Sequence, residues 1–168
     1  KIVICGRNST YWAISFFATI TYGAVAVPLL HEFKSEAVTH LVNHSDGKLL
    51  IVGDVVWEGL DADEMPNLCA AIQMQNFELV SCKDERFKQA YQSIKDDFLA
   101  AYPDGFTKED VSYQRDRLDD LALINYTSGT TSMSKGVMLS YRALLSNYMF
   151  ACEVLPNLCA GMNVISML

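Results

Sequence analysis

The chain has 168 residues, of which 51% are hydrophobic and 20% charged, with a net charge of −7 and a pI near 4.8. That length suffices for one domain with a core of its own, and the apolar content leaves little room for disordered tails. The acidic balance argues against nucleic-acid binding, which normally requires a basic stripe. The five cysteines (Cys5, Cys69, Cys82, Cys152 and Cys159) include no Cys-x-x-Cys pair. An odd number in mostly apolar surroundings predicts free thiols in a reducing, cytoplasmic setting rather than a disulfide framework or a thiolate metal site.

Lys1–Cys5 predicts a short apolar strand. Asn8 to Leu30 carries no charged side chain and is long enough to cross a bilayer, but Gly23 and Pro28 punctuate it, and Asn8, Ser9 and Thr10 open it as capping residues. The expectation is therefore a buried helix over Ser9–Tyr22, capped by Gly23 and followed by a strand at Ala24–Val27. Neither a transmembrane span nor a signal peptide is expected. Ser35–His44 has helical periodicity with Val38, Leu41 and Val42 on one face; Gly47 ends it, and Lys48–Val52 predicts the next strand. Residues 54–76 predict short helices on either side of Pro66. Phe77–Cys82 predicts a strand.

Glu85–Tyr102 predicts an amphipathic helix, with Phe87, Ala90, Tyr91, Ile94 and Phe98 at helical intervals. Pro103-Asp104-Gly105 is a turn, and polar residues Thr107–Asp120 lead to a strand at Leu121–Ile124. A second strand is expected at Val137–Leu139, a helix at Tyr141–Val154 and a last strand at Val164–Leu168. Strands alternating with helices predict an α/β fold, a mostly parallel sheet with helices on both faces.

Between the strands at Leu121 and Val137 lies the most informative segment, Tyr126–Val137, YTSGTTSMSKGV. Hydroxyls of Thr127, Ser128, Thr130, Thr131 and Ser132 crowd around Gly129, and Lys135-Gly136 follows. Glycine lets backbone N–H groups turn inward, hydroxyls donate to phosphate oxygens and lysine supplies a positive charge, so the composition is that of a phosphate-holding loop. It is not a Walker A loop, because Lys135 lies between Ser134 and Gly136 rather than between Gly and Ser or Thr. In a parallel α/β sheet such a loop falls beyond the carboxyl ends of the strands, where ligands bind. His31, His40 and His44, with Glu36, would make an incomplete zinc site and are read as surface residues. The adjacent Asp119 and Asp120 point to opposite faces of a strand entrance and are read as solubilising charges rather than a Mg²⁺ pair.

Tyr-Thr-Ser-Gly-Thr-Thr, three further residues, then Lys-Gly-Val resembles the phosphate-binding signature of the adenylate-forming enzymes. That superfamily includes acyl-CoA synthetases, luciferase-like ligases and peptide-synthetase adenylation domains. Two positions depart from its pattern: Ser132 stands where the family usually has Gly, and Ser134 where it has Pro. Lys1–Asp54, from KIVICGRNSTYWAISFFATITYGAVAVPLL to DGKLLIVGD, resembles the first half of the same enzymes' large domain. The resemblance implies that Thr127, Ser128, Gly129, Thr130, Thr131 and Lys135 cradle the β- and γ-phosphates of ATP. It also implies that the Thr127 hydroxyl helps hold Mg²⁺, and that Gly136 lets the loop return to its strand.

The family's catalytic residues would lie beyond Leu168, so none is assigned within the chain. The chain opens in a strand without Met and stops in an apolar run. Set beside the much longer enzymes it resembles, residues 1–168 are expected to be part of a large N-terminal domain. The rest of that domain and a small C-terminal domain would be absent. The helix at Glu85–Tyr102 and the run Val-Met-Leu-Ser-Tyr-Arg are most similar to long-chain fatty acyl-CoA ligases. The implied partners are ATP, a carboxylic acid and CoA as substrate. Peripheral contact with a membrane is left open, and self-association through a cut sheet edge is expected. A rival expectation is a complete, non-catalytic nucleotide- or phosphate-binding α/β module.

Overall fold

The computed structural model describes residues 1–111, 117–127 and 135–155. The chain alternates β1 (Ile2–Cys5), α1 (Thr10–Thr21), β2 (Ala26–Leu29), α2 (Ser35–Ser45) and β3 (Leu49–Val52). A short helix α3 (Asp54–Trp57), β4 (Ala70–Gln73), β5 (Leu79–Cys82) and α4 (Glu85–Ala101) follow. The described part closes with β6 (Leu121–Thr127), β7 (Lys135–Ser140) and α5 (Tyr141–Val154). The seven strands form one sheet in the order β5-β4-β3-β1-β2-β6-β7. β4, β3, β1, β2 and β6 run parallel, and β5 and β7 close the two edges antiparallel. The strand expected at Val164–Leu168 lies outside the described residues.

The pleat explains why helices cover both faces. Val3, Cys5, Leu50 and Val52 point to one side and pack with Val38, Leu41 and Val42 of α2. Ile2, Ile4, Leu49 and Ile51 point to the other, where Trp12 and Phe16 of α1 lie over them. β2 lies on one side of β1 and β3 on the other, so the two right-handed crossovers carry α1 and α2 to opposite faces.

α1 starts where Ser9 accepts a hydrogen bond from the Trp12 N–H at 3.1 Å, and it stops before Gly23, whose φ of +86° suits glycine. Its burial differs from expectation. The buried positions are Ser15 and Thr19, while Ile14 and Phe17 are 50% and 60% exposed. The two hydroxyls donate to the carbonyls of Tyr11 and Ser15 at 2.7 Å, which satisfies them and lets small side chains face the sheet. Sequence hydrophobicity does not reveal this, because the outward face is as apolar as the inward one.

Two further differences have local causes. The strand expected to stop before Pro28 runs through it to Leu29. Val25 O accepts from Ile2 N, so the even-numbered residues of β2 turn their backbone groups towards β6. The β2–β6 register holds at Ala26↔Leu123 and goes no further, since Pro28, the next residue facing β6, has no N–H to offer the ladder. Of the helices expected around Pro66, the one after it is instead β4, where burial between β3 and β5 overrides the weak strand preference of Ala70-Ala71. α4 forms where expected, capped by Asp84, which accepts from Arg86 N and Phe87 N at 2.9 and 3.2 Å. None of its residues is fully buried. Its hold on β5 is Tyr91, whose hydroxyl donates to Phe77 O at 3.0 Å and accepts from Leu79 N at 3.2 Å. Among the described residues no helix is long and apolar enough to cross a membrane.

Gly47 joins α2 to β3 at a point of close approach. A Cβ built there would lie 2.5 Å from Val3 Cγ2, in the middle of the core. Gly47→Ala is therefore expected to destabilise the fold by about 1–3 kcal/mol through overpacking. Urea denaturation should show a lowered midpoint with little change in slope.

Candidate functional site: the mouth of the β6–β7 hairpin

β6 is built from Leu121-Ala122-Leu123-Ile124 and continues through Asn125, Tyr126 and Thr127. β7 returns from Lys135, two residues earlier than expected. The sequence placed the loop at 126–137; the structure confines the connection to 128–134. Ser128, Gly129, Thr130 and Thr131 lie outside the described residues, whereas Thr127, Lys135 and Gly136 are strand residues. Because β6 runs parallel to β1–β4, the connection leaves the same carboxyl edge of the sheet as Cys5-Gly6, Leu29-Leu30 and Val52-Gly53.

Thr127 and Lys135 are cross-strand partners, and Tyr126 pairs with Gly136 immediately behind them. Directly opposed residues project to the same face, so the Thr127 hydroxyl and the Lys135 ammonium share one side of the hairpin mouth, both exposed. A hydroxyl donor beside a cation suits a polyphosphate. Among the described residues no group of three or more His, Cys, Asp or Glu could hold a metal ion. At this mouth the Thr127 hydroxyl could supply one oxygen to a magnesium ion whose other ligands were phosphate oxygens and water.

The opposite face of the mouth is packed. Tyr126 is 6% exposed and lies in the same cluster as Ile124, Val38 and Val42. Its hydroxyl and His44 Nδ1 are joined by a 2.7 Å hydrogen bond, with the two rings edge-to-face at 5.7 Å. Burial raises the phenol pKa above its ordinary value, so the hydroxyl stays protonated at neutral pH. A Cβ on Gly136 would come within 3.1 Å of both Ile124 Cγ2 and Tyr126 Cε1. Among the described glycines positive φ occurs at Gly23 and Gly105 and not here, so Gly136 serves to admit the Tyr126 ring.

The three histidines do not converge. His44 faces Tyr126, His40 lies 5.9 Å from the His44 ring, and His31 Nδ1 is 3.3 Å from Glu32. Asp119 proves more than a solubilising charge. Arg142 grips it with Nε–Oδ1 at 2.8 Å and Nη2–Oδ2 at 3.1 Å, and the guanidinium holds the Asp119 carboxyl below its usual range. Arg142 N also donates to Leu118 O at 2.7 Å, and the Tyr141 hydroxyl donates to Ile20 O at 2.8 Å. Together these contacts fix the start of α5 to the entrance of β6 and the end of α1. Four described cysteines are free; burial pushes the Cys5 thiol up to about 12, and Cys152 is exposed.

Sequence reasoning reads His44 only as a surface residue; it is exposed, and its pairing with Tyr126, 82 positions away, carries no local signal. The pairing of Asp119 with Arg142 is likewise absent from the sequence pattern.

Long-chain-fatty-acid–CoA ligase 5 of Rattus norvegicus is 29% identical over 152 residues, which is 87% of this chain and 22% of the relative. A long-chain-fatty-acid-CoA ligase from Archaeoglobus fulgidus superposes with a TM-score of 0.64 at 23% identity, over 94% of this chain and 27% of that one. ATP-bound MatB from Rhodopseudomonas palustris superposes with a TM-score of 0.62 at 22% identity, over 90% and 27%. The chain thus spans about a fifth of the length of the curated relative it matches. Residues 1–167 match the family model described as AMP-binding enzyme, and the chain belongs to that family, the adenylate-forming enzymes.

Proposed function

We propose that this chain is the phosphate-holding part of an ATP-dependent acyl-CoA ligase that activates a carboxylic acid, of the long-chain fatty class, as its acyl-adenylate. The reading rests on one observation above the others. In a chain of the AMP-binding family, a hydroxyl- and glycine-rich connection springs from an exposed Thr127–Lys135 pair at the carboxyl edge of a parallel sheet. Fatty-acid specificity is supported by the name of the 29%-identical ligase. Family membership does not favour the alternative of a complete, non-catalytic nucleotide-binding module. Free thiols without a Cys-x-x-Cys pair support a cytoplasmic setting.

In the proposed reaction a carboxylate oxygen attacks the α-phosphorus of ATP and pyrophosphate leaves. The CoA thiol then displaces AMP from the acyl-adenylate. Charge accumulates on the departing phosphates, and donors fixed beforehand lower that barrier most. Backbone N–H groups around Gly129 and the hydroxyls of Thr127, Ser128, Thr130 and Thr131 donate to the β- and γ-oxygens, and Lys135 adds a charge-assisted contact. Gly136 lets the chain return into β7 over the Tyr126 ring. Magnesium, when bound beside Thr127, neutralises phosphate charge and orients the polyphosphate. We assign residues 1–168 to part of a larger N-terminal domain, with the acyl, adenine and CoA pockets elsewhere in the protein.

Two outcomes check this reading. In the full-length protein, Gly129→Val should block phosphate approach, and Lys135→Ala should remove a contact worth roughly 1.5–3 kcal/mol. Pyrophosphate release should fall in both, more severely in Gly129→Val, and wild-type release in both variants would refute the phosphate-loop assignment. The isolated 168-residue chain should show no ATP–pyrophosphate exchange with fatty acids, because closure of two domains supplies the remaining groups. Its exposed Phe17, Met138 and Phe150, at 60%, 67% and 64%, should also make it self-associate in light scattering. Robust exchange by a stable monomer contradicts this division of labour.

A further inference from the structure

We infer that His44 and Tyr126 are positioning residues: their hydrogen bond fixes the strand ends at the hairpin mouth, where Thr127 and Lys135 meet the nucleotide. The inference rests on reading that mouth as the polyphosphate site. Below the mouth, β6 is tied to the parallel sheet at Ala26↔Leu123. From Asn125 to Thr127 its registered ladder partner is β7, Val137 through Lys135. There the hairpin lies level with Pro28 and Leu29 and packs into the core through Tyr126, but it has no further registered pair with β2.

Among the described residues, the hydrogen bond linking that part of the hairpin to a different element is Tyr126 Oη to His44 Nδ1, at 2.7 Å. Tyr126 is well placed to transmit the hold. It precedes Thr127 in β6, and its ring fills the space left by the absent Cβ of Gly136, the residue after Lys135. Moving the ring would displace both strands that carry the phosphate contacts. The far end of the tie is firm, since α2 is rooted by Val38, Leu41 and Val42 and ends against Gly47, which abuts Val3. A well-rooted helix thus reaches a site it does not touch through one exposed side chain, His44, and its bond to the buried Tyr126.

A buried phenol that merely finds a partner would contribute to stability and nothing else, and the two roles are separable. In the full-length protein, Tyr126→Phe keeps the ring and removes only the hydroxyl, His44→Ala removes its partner, and His44→Asn restores a polar atom near Nδ1. We expect the KM for ATP to rise roughly three- to tenfold in Tyr126→Phe and His44→Ala, with the KM values for acid and CoA unchanged and partial recovery in His44→Asn. Without nucleotide, amide hydrogen exchange should quicken across Ile124–Thr127 and Lys135–Met138 while β1 and β3 stay protected. An unchanged ATP KM in Tyr126→Phe, or a loss spread evenly over all substrates with hairpin exchange unaltered, overturns the assignment. Lys135→Ala separates the two readings. If it impairs pyrophosphate release while Tyr126→Phe has no effect, only the positioning role fails; if neither matters, the phosphate site itself is refuted.

Discussion

The structure is organised around a strand that touches water on neither face. Val3, Ile4 and Cys5 are each 0% exposed, which is possible only if a helical layer lies above β1 and another below it. The sheet must then be extended by crossovers of one hand, and the placement of α1 and α2 follows. Parallel strands share a direction, so their carboxyl ends, and the connections leaving them, gather on one edge. The candidate phosphate site lies there as a consequence of how the core is covered.

At that edge the sheet changes character. β6 continues the parallel order, but β7 doubles back on it, so the connection after Thr127 joins two hydrogen-bonded strands rather than a strand and a crossover helix. The hairpin presents Thr127 and Lys135 on one face and commits Tyr126 and Gly136 to the other. One pleat thus separates the residues offered to a ligand from those that anchor them. α5 follows directly, fixed by Arg142 on Asp119 and by Tyr141 on α1.

Much of this was legible in the residues, for identifiable reasons. Val38, Leu41 and Val42 fall at helical spacing because α2 has one wet face, and the structure buries those three. The hydroxyl-rich run beside Lys135 could be recognised because its chemistry is local. What escaped had no local expression. α1 is apolar all round, so hydrophobicity could not say that Ser15 and Thr19 face inward. β4 begins Ala-Ala and is a strand only because two neighbours flank it. The extension of β6 to Thr127 depends on β7 pairing with it, and the grip of His44 on Tyr126 joins positions 82 apart.

The single registered pair Ala26↔Leu123 has a consequence for how the chain acquires its shape. β1 through β5 pair mainly with strands one or two elements away, and β6 with β7 closes a short loop, so each unit can form from contacts of low sequence separation. Joining them means closing a loop of nearly a hundred residues, an entropic cost that grows only slowly with length but must be met before the contacts reward it. The hairpin should therefore dock late on a preformed β1–β4 sheet, making the β6–β7 edge the last part of the described sheet to consolidate and the first to let go.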